Sequence, residues 1–252
     1  MRRVASKNPK ALDLAAALDA RRPALDLPAD LCLVLGGDGT MLHAIHEHGP
    51  ATTYLGLNCG FLGFLMNDLP AEDAVERVAA ALGAGAWMAH RFPRLAMLAS
   101  TAAGEVRGNA VNDVYVERQS GHTCHLRVWI DGHVLADRLV CDGMIAATPV
   151  GSTAYSFSAG GPASHPLVRS IHLTPICPHA PRLSPIVLPE SAQVRIEVLS
   201  PEYRPARVVL DGLAHGDVHA VELSCSRQDD VALAFFNGHD FTGTLLHKIL
   251  RR

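Results

Sequence analysis

Five consecutive residues, Gly36-Gly37-Asp38-Gly39-Thr40, have the types and spacing that could do chemistry. An apolar run, Leu31-Cys32-Leu33-Val34-Leu35, precedes them, and Met41-Leu42-His43-Ala44-Ile45 follows at helical spacing. That order reads as a buried strand, a glycine turn and a helix. Glycines let a ligand approach the backbone closely, and a helix start offers unpaired N–H groups to an anion. Gly36, Gly37, Gly39 and Thr40 are therefore the candidate phosphate-binding residues. One carboxylate stands among them. A carboxylate beside phosphates repels them unless a metal or an acidic proton lies between. Asp38 could hold Mg²⁺, or accept a proton from a hydroxyl that attacks phosphorus. The bland alternative is a turn and no more, with Asp38 capping the helix.

A second segment, Asp142 to Pro162, is crowded with small and hydroxylated residues and carries Tyr155. Such a stretch lets backbone approach a planar ligand while hydroxyls supply adjustable donors and acceptors. Its alternative is a tight loop packed on a sheet. Asn112-Asp113 by itself reads as an ordinary strand end. Asp142-Gly143 and Asp211-Gly212 both read as hairpin turns.

The elements that must position these residues fall into two groups. Up to residue 93 the signals alternate: an edge strand over 3–6, a helix over 8–20, strands over 31–35 and 53–57, and a helix over 70–81. That alternation implies a parallel sheet covered by helices. Beyond it come short alternating runs at 95–99, 110–117, 125–131, 134–140, 193–199, 207–211, 218–224 and 231–236, the pattern of an all-β sandwich or barrel. The expected fold is an α/β parallel-sheet domain over 1–93, a β-sandwich domain over 94–239, and a helix over 240–252 that could return to the first domain.

Composition narrows the class. The 252 residues are 48% hydrophobic and 19% charged, which suits a globular protein with sizeable cores. A formal net charge of −3 favours no nucleic-acid or acidic-membrane partner. The six cysteines form no Cys-x-x-Cys pair, no signal peptide is apparent, and no apolar run reaches the ~20 residues of a membrane helix. A reduced, cytoplasmic protein is expected. The fourteen histidines are scattered, and no residue is assigned as a metal ligand. A P-loop, a Gly-x-Gly-x-x-Gly after the first strand and a Gly-x-Ser-x-Gly elbow are all absent.

Taken in order, Gly36–Thr40, Gly60-Phe61-Leu62-Gly63-Phe64-Leu65, Asn112-Asp113, Asp142-Gly143, Thr148-Pro149-Val150-Gly151-Ser152-Thr153-Ala154-Tyr155, Leu173 to His179 and Leu210-Asp211-Gly212 make the chain resemble the NAD kinases. The glycine turn is shared with lipid kinases and partly with phosphofructokinases; the Thr148–Tyr155 segment is much more specific. A lipid kinase would be expected to carry membrane-targeting helices or basic patches, and neither is seen. A nucleotide-binding sensor without catalysis is the alternative from another class, and the intact Asp38 argues against it.

The resemblance implies a nucleotide site between the two domains. It implies transfer of the ATP γ-phosphoryl group to the 2′-hydroxyl of the adenosine ribose of NAD, giving NADP, with Mg²⁺ or another divalent ion. Asp38 then matches the proton acceptor. The NAD-binding residues it implies are Asp38, Gly39, Phe64, Asn112, Asp113, Asp142, Thr153, Ala154, Tyr155, Ser156, Ser158 and Gly212. Asn112 matches a contact to adenine, Asp113 one to the other ribose, and Asp142 one at the nicotinamide end. A homodimer or homotetramer is also implied. The chain departs from the family at Asp113, where glutamate is most common, at Val150, where many members have serine or threonine, and at Leu213, where many have glutamine.

Overall fold

The computed structural model describes residues 2–21, 28–60, 63–68 and 74–250. The chain forms two compact units: residues 1–92 with 230–252, and residues 93–229. The second unit is thus an insertion in the first.

In the first unit, β1 (Arg2–Ala5), β2 (Leu31–Gly36), β3 (Thr53–Asn58) and the end of β14 (Leu213–Phe236) form a parallel sheet in the order β1-β2-β3-β14. Side chains alternate across it. Leu31, Leu33, Leu35, Leu55 and Leu57 pack with Ala11, Leu14, Ala15 and Leu18 of α1 (Pro9–Arg21) and with Val78 and Leu82 of α3 (Ala74–Gly83). The opposite face takes α2 (Asp38–His48): a Cβ on Gly56 would lie 2.6 Å from Met41 Cε. This is a doubly wound α/β arrangement, whose ligand crevices form at the carboxyl ends of the strands. Residues 70–73 of the expected third helix, and Phe61 and Leu62, lie outside the described residues.

The second unit is a sandwich. One sheet carries β5 (Gly104–Ala110), β4 (Trp87–Thr101), β14, β12 (Gln193–Val198), β7 (Cys124–Ile130) and β8 (His133–Cys141). The other runs from the start of β14 through β13 (Ala206–Leu210), β6 (Asp113–Arg118), β9 (Gly143–Ala147), β10 (Ser170–Ile176) and β11 (Ile186–Pro189). One core joins both inner faces, including Leu95, Met97, Leu126, Val128, Val194 and Ile196 from the first sheet and Val114, Val116, Met144, Leu173 and Val208 from the second.

Several expectations change. The run 110–117 is two strands, β5 and β6, broken at Val111-Asn112. The runs 218–224 and 231–236 are one 24-residue strand, β14. Its end, with residues 230–239, belongs to the first unit rather than the sandwich, because Ala232–Ala234 pair in parallel with Thr53–Leu55. The closing helix α5 (Phe241–Leu250) lies in that unit too. Gly143 is no hairpin turn. It opens β9, a fully buried strand that alternation cannot reveal, since both its faces are covered. β10 and β11 have no counterpart among the strand-like runs of the sequence.

Candidate functional site

The turn after β2 is built as a carboxylate mount. Asp38 is the first residue of α2, and Gly37 is its N-cap with no side-chain cap bond. The capping alternative therefore fails. The carboxylate points instead to the 63–68 segment: Phe64 N–H donates to Oδ2 at 3.0 Å and Leu65 N–H to Oδ1 at 3.0 Å. That segment is itself pinned. Asn67 donates to the carbonyls of Gly56 (2.9 Å) and Ala234 (3.0 Å) and accepts from Phe236 N–H (2.8 Å). Asp38 is thus held at the carboxyl end of the sheet by neighbours tied to two strands.

The surrounding glycines divide by role. A Cβ on Gly36 would lie 2.4 Å from Thr40 Oγ1, so its smallness serves helix packing. At Gly37 and Gly39 a Cβ would meet nothing within 4 Å, which leaves that side of the turn open. Intrahelical bonding begins with Thr40 N–H to Gly37 O at 2.9 Å, so the N–H groups of Asp38 and Gly39 precede the ladder and can serve an anion.

Lys248 reaches the same carboxylate. Its Nζ lies 3.3 Å from Asp38 Oδ2 and 5.1 Å from the centre of the Phe64 ring. The lysine side chain is only 15% exposed. α5 is anchored at its start by Phe241, whose ring packs against Phe235 (4.8 Å) and His90 (5.2 Å). Nothing in the sequence signals this contact, which spans 210 residues.

In the second unit, three segments converge at one end of the β6–β9 pair. The hairpin joining β13 to β14 has Asp211 and Gly212 at φ +46° and +84°, a two-residue turn of the kind that Asp-Gly favours. The Asp211 carboxylate accepts from the N–H groups of Val111 (2.7 Å), Asn112 (2.8 Å) and Asp113 (3.2 Å). Thr148 completes the clamp: its N–H donates to Asn112 O at 2.8 Å and its hydroxyl to Val111 O at 2.6 Å. Gly151 then passes against Asn112, where a Cβ would fall 2.0 Å from the carbonyl oxygen.

Asn112 and Asp113 are presented by this clamp. The Asn112 side chain is half-buried, and its amide makes no hydrogen bond among the described residues. Asp113 is 5% exposed and its carboxyl likewise has no hydrogen-bond partner among the described residues. Burial, and then the charge of Asp211, push the Asp113 carboxyl up to about 7. A buried carboxyl without partners is costly, and a ligand hydroxyl would relieve it.

The segment after β9 covers the outer face of that sheet with a 3₁₀ turn (Gly151–Thr153) and the short α4 (Tyr155–Ser158). Tyr155 stacks edge-on against Tyr115 of β6 at 5.0 Å and stays 36% exposed. Thr153 and Ser156 are both buried, with hydroxyls directed to Val150 O (3.4 Å) and Thr174 Oγ1 (2.9 Å). Ser158 is exposed, at 3.4 Å from Ala154 O. Asp142 is not part of the Asn112 cluster. It precedes β9 while Thr148 follows it, about 20 Å away along the strand. Its carboxylate pairs with Arg118 Nε at 2.9 Å. A separate cavity of about 900 Å³, lined by Trp129, Arg195 and Gln193 among others, contains none of these residues.

Residues 111–223 match the family model for the ATP-NAD kinase C-terminal domain. The NAD kinase of Brucella suis biovar 1 is 36% identical over 226 residues, 88% of this chain and 86% of that protein. The NAD kinase of Caulobacter vibrioides is 39% identical over 220 residues, 86% and 83% of the two chains. Among solved structures, the chain is similar to yeast NADH kinase complexed with NADH, with a TM-score of 0.76 and 29% identity over 88% of this chain. It spans 65% of that yeast chain. It is also similar to an NAD kinase from Archaeoglobus fulgidus in complex with ATP, with a TM-score of 0.78 and 25% identity over 100% of both chains. An α/β unit with a carboxylate at its glycine turn, joined to a β-rich unit, is in this company the architecture of a phosphotransferase. The chain belongs to the NAD kinase family.

Proposed function

We propose that this chain transfers the γ-phosphoryl group of ATP to the 2′-hydroxyl of the adenosine ribose of NAD, giving NADP and ADP, with Asp38 as the proton acceptor. The observation that carries this reading is the Asp38 carboxylate, oriented by two main-chain N–H groups beside an open glycine turn. A new bond forms between the 2′-oxygen and phosphorus as the bond from γ-phosphorus to the ADP oxygen breaks. The hydroxyl proton passes to an Asp38 oxygen and on to solvent. A neutral alcohol is a poor nucleophile, and a positioned base typically contributes ~10²–10⁴-fold.

The dinucleotide is bound by the second-unit residues. Asn112 offers one acceptor and two donors to the adenine edge. Asp113 accepts from a ribose hydroxyl, and Tyr155 offers an aromatic face. Thr153, Ala154 and Ser156 contribute main chain and shape, and Gly212 and Ser158 border the ligand. Asp142, paired with Arg118, serves the nicotinamide end. Gly36, Gly37, Gly39 and Thr40 receive phosphate, and Phe64 lies beside Asp38.

A divalent ion, Mg²⁺ or another, fits the donor set as a companion of the nucleotide phosphates. Among the described residues no cluster of three or more His, Cys, Asp or Glu could hold a metal, and Mg²⁺ commonly uses one or two carboxylates plus phosphate oxygens. Bound there, it would neutralise phosphate charge. The reading includes a cytoplasmic homodimer or homotetramer, on the strength of the family resemblance. No helix among the described residues is long and apolar enough to cross a membrane.

The test is to mix protein, Mg²⁺, ATP and NAD and to read NADP with an NADP-specific dehydrogenase. Failure to form NADP with any metal or phosphoryl donor overturns the reading. Asp38→Asn is expected to fold and bind NAD but to turn over ~10²–10⁴-fold more slowly. Near-normal turnover would remove Asp38 from its role.

A further inference from the structure

We propose that Lys248, on the C-terminal helix, is a catalytic residue of the phosphoryl transfer, its ammonium contacting the transferring group. This rests on the functional reading above.

Four observations converge. First, Lys248 is 15% exposed and its Nζ stands 3.3 Å from Asp38 Oδ2. A lysine so covered is rare unless paired. Second, its helix is held from the other end: Phe241, two turns earlier on the same face, sits among Phe92, Phe235, His90 and His239. The ammonium is therefore delivered by a packed element. Third, the carboxylate's acceptor sites are shared unequally. Oδ2 accepts from both Phe64 N–H and Lys248, whereas Oδ1 accepts from Leu65 N–H alone. An acceptor hydroxyl is thus taken by Oδ1, with the ammonium on the neighbouring oxygen. Fourth, Asp38 opens α2, so the ammonium lies beside the helix start that would receive phosphate.

An ammonium there has three donors, and Asp38 engages one. The others are free to turn to phosphoryl oxygens without moving the helix. In a loose transition state the field at those oxygens outweighs the strength of the base. Asp38 holds Lys248 ready before nucleotide arrives. No new covalent step is required.

The experiment compares the parent with Lys248→Met, Lys248→Arg and Lys248→Ala. NADP formation, NAD affinity by calorimetry and thermal melting are measured on each, with Asp38→Asn beside them. Loss of one preorganised charge donor typically costs ~10²–10³-fold in kcat. Lys248→Met is expected to lose that much while NAD binding changes by about threefold or less. Lys248→Arg should recover at least about tenfold, and added ethylammonium should accelerate Lys248→Ala but not the parent. Two results overturn the proposal: kcat of Lys248→Met within about threefold of the parent, or a loss that neither arginine nor ethylammonium relieves and that tracks a fall in melting temperature. The second result would make Lys248 a strut for the helix. A parent that forms no NADP overturns the functional reading and this proposal together; an active parent with a normal Lys248→Met overturns this proposal alone.

Discussion

Asp113 and Asp211 face the same turn in opposite roles. Asp211 spends its charge on three main-chain N–H groups, while Asp113 is buried without a partner among the described residues. The consequence for pH has a definite sign. The folded Asp113 carboxyl is raised to about 7, whereas an unfolded aspartate titrates near ~3.9. The folded state therefore binds more protons between those values. The stability from Asp113 is fully present below about pH 4 and is lost as pH rises through about 7. The melting temperature of the ligand-free protein should fall across that window by roughly 5–10 °C. Asp113→Asn should lack that part of the fall, and parallel curves would remove the assignment. Asp211→Ala leaves buried N–H groups unpaired, each worth about 1–3 kcal/mol. A loss of about 3 kcal/mol by denaturant titration, with weaker NAD binding, is expected; a change under about 1 kcal/mol would mean that the clamp is redundant.

At the scale of elements, two glycines decide whether β9 and its loop can lie where they do. A Cβ on Gly143 would fall 2.3 Å from Val116 O, and one on Gly151 2.0 Å from Asn112 O. Both obstacles are backbone and cannot rotate away. Gly143→Ala forces β6 and β9 apart and should cost on the order of 3 kcal/mol. Gly151→Ala pushes Asn112 out of its clamp, so a loss of NAD affinity beyond about tenfold should exceed the loss of stability. An unchanged dissociation constant would show that Asn112 makes no adenine contact. The glycine turn was legible in sequence because a buried strand, small residues and a helical run stand contiguously at 31–45. β9 and β10 were not, because strands covered on both faces lose the period-two signal.

At the scale of the whole molecule, the first unit is completed by a segment from the far end of the chain. β3 takes its second neighbour from residues 232–234, and Asn67 finds two of its partners at Ala234 and Phe236. A fragment of residues 1–92 should therefore fail to melt cooperatively, and adding residues 230–252 through a short linker should restore a transition. Residues 93–229 hold both sheets of the sandwich and its core and should melt cooperatively alone. A cooperative transition from 1–92 by itself would contradict this division. The sequence boundary near residue 93 was visible because periodicity changes there. The return at Asp230 was not, since β14 runs without a break from one unit to the other.

From its sequence alone this chain declares a chemistry: a lone carboxylate in a glycine turn and a small-residue segment are local patterns of residue types that spacing can reveal, while the Asn112-Asp113 pair gains a role only through the resemblance to the NAD kinases. The tertiary structure decided where each of those side chains points and what it touches. It turned Thr153 and Ser156 inward, gave Asp211 to the backbone of Asn112, set Asp142 apart beside Arg118, and brought Lys248 to Asp38 across 210 positions. The physical reason is range. Turn propensity and periodicity act over a few residues, whereas the direction of a hydroxyl or an ammonium is set by whichever strand or helix packs against it, and that partner can come from anywhere in the chain.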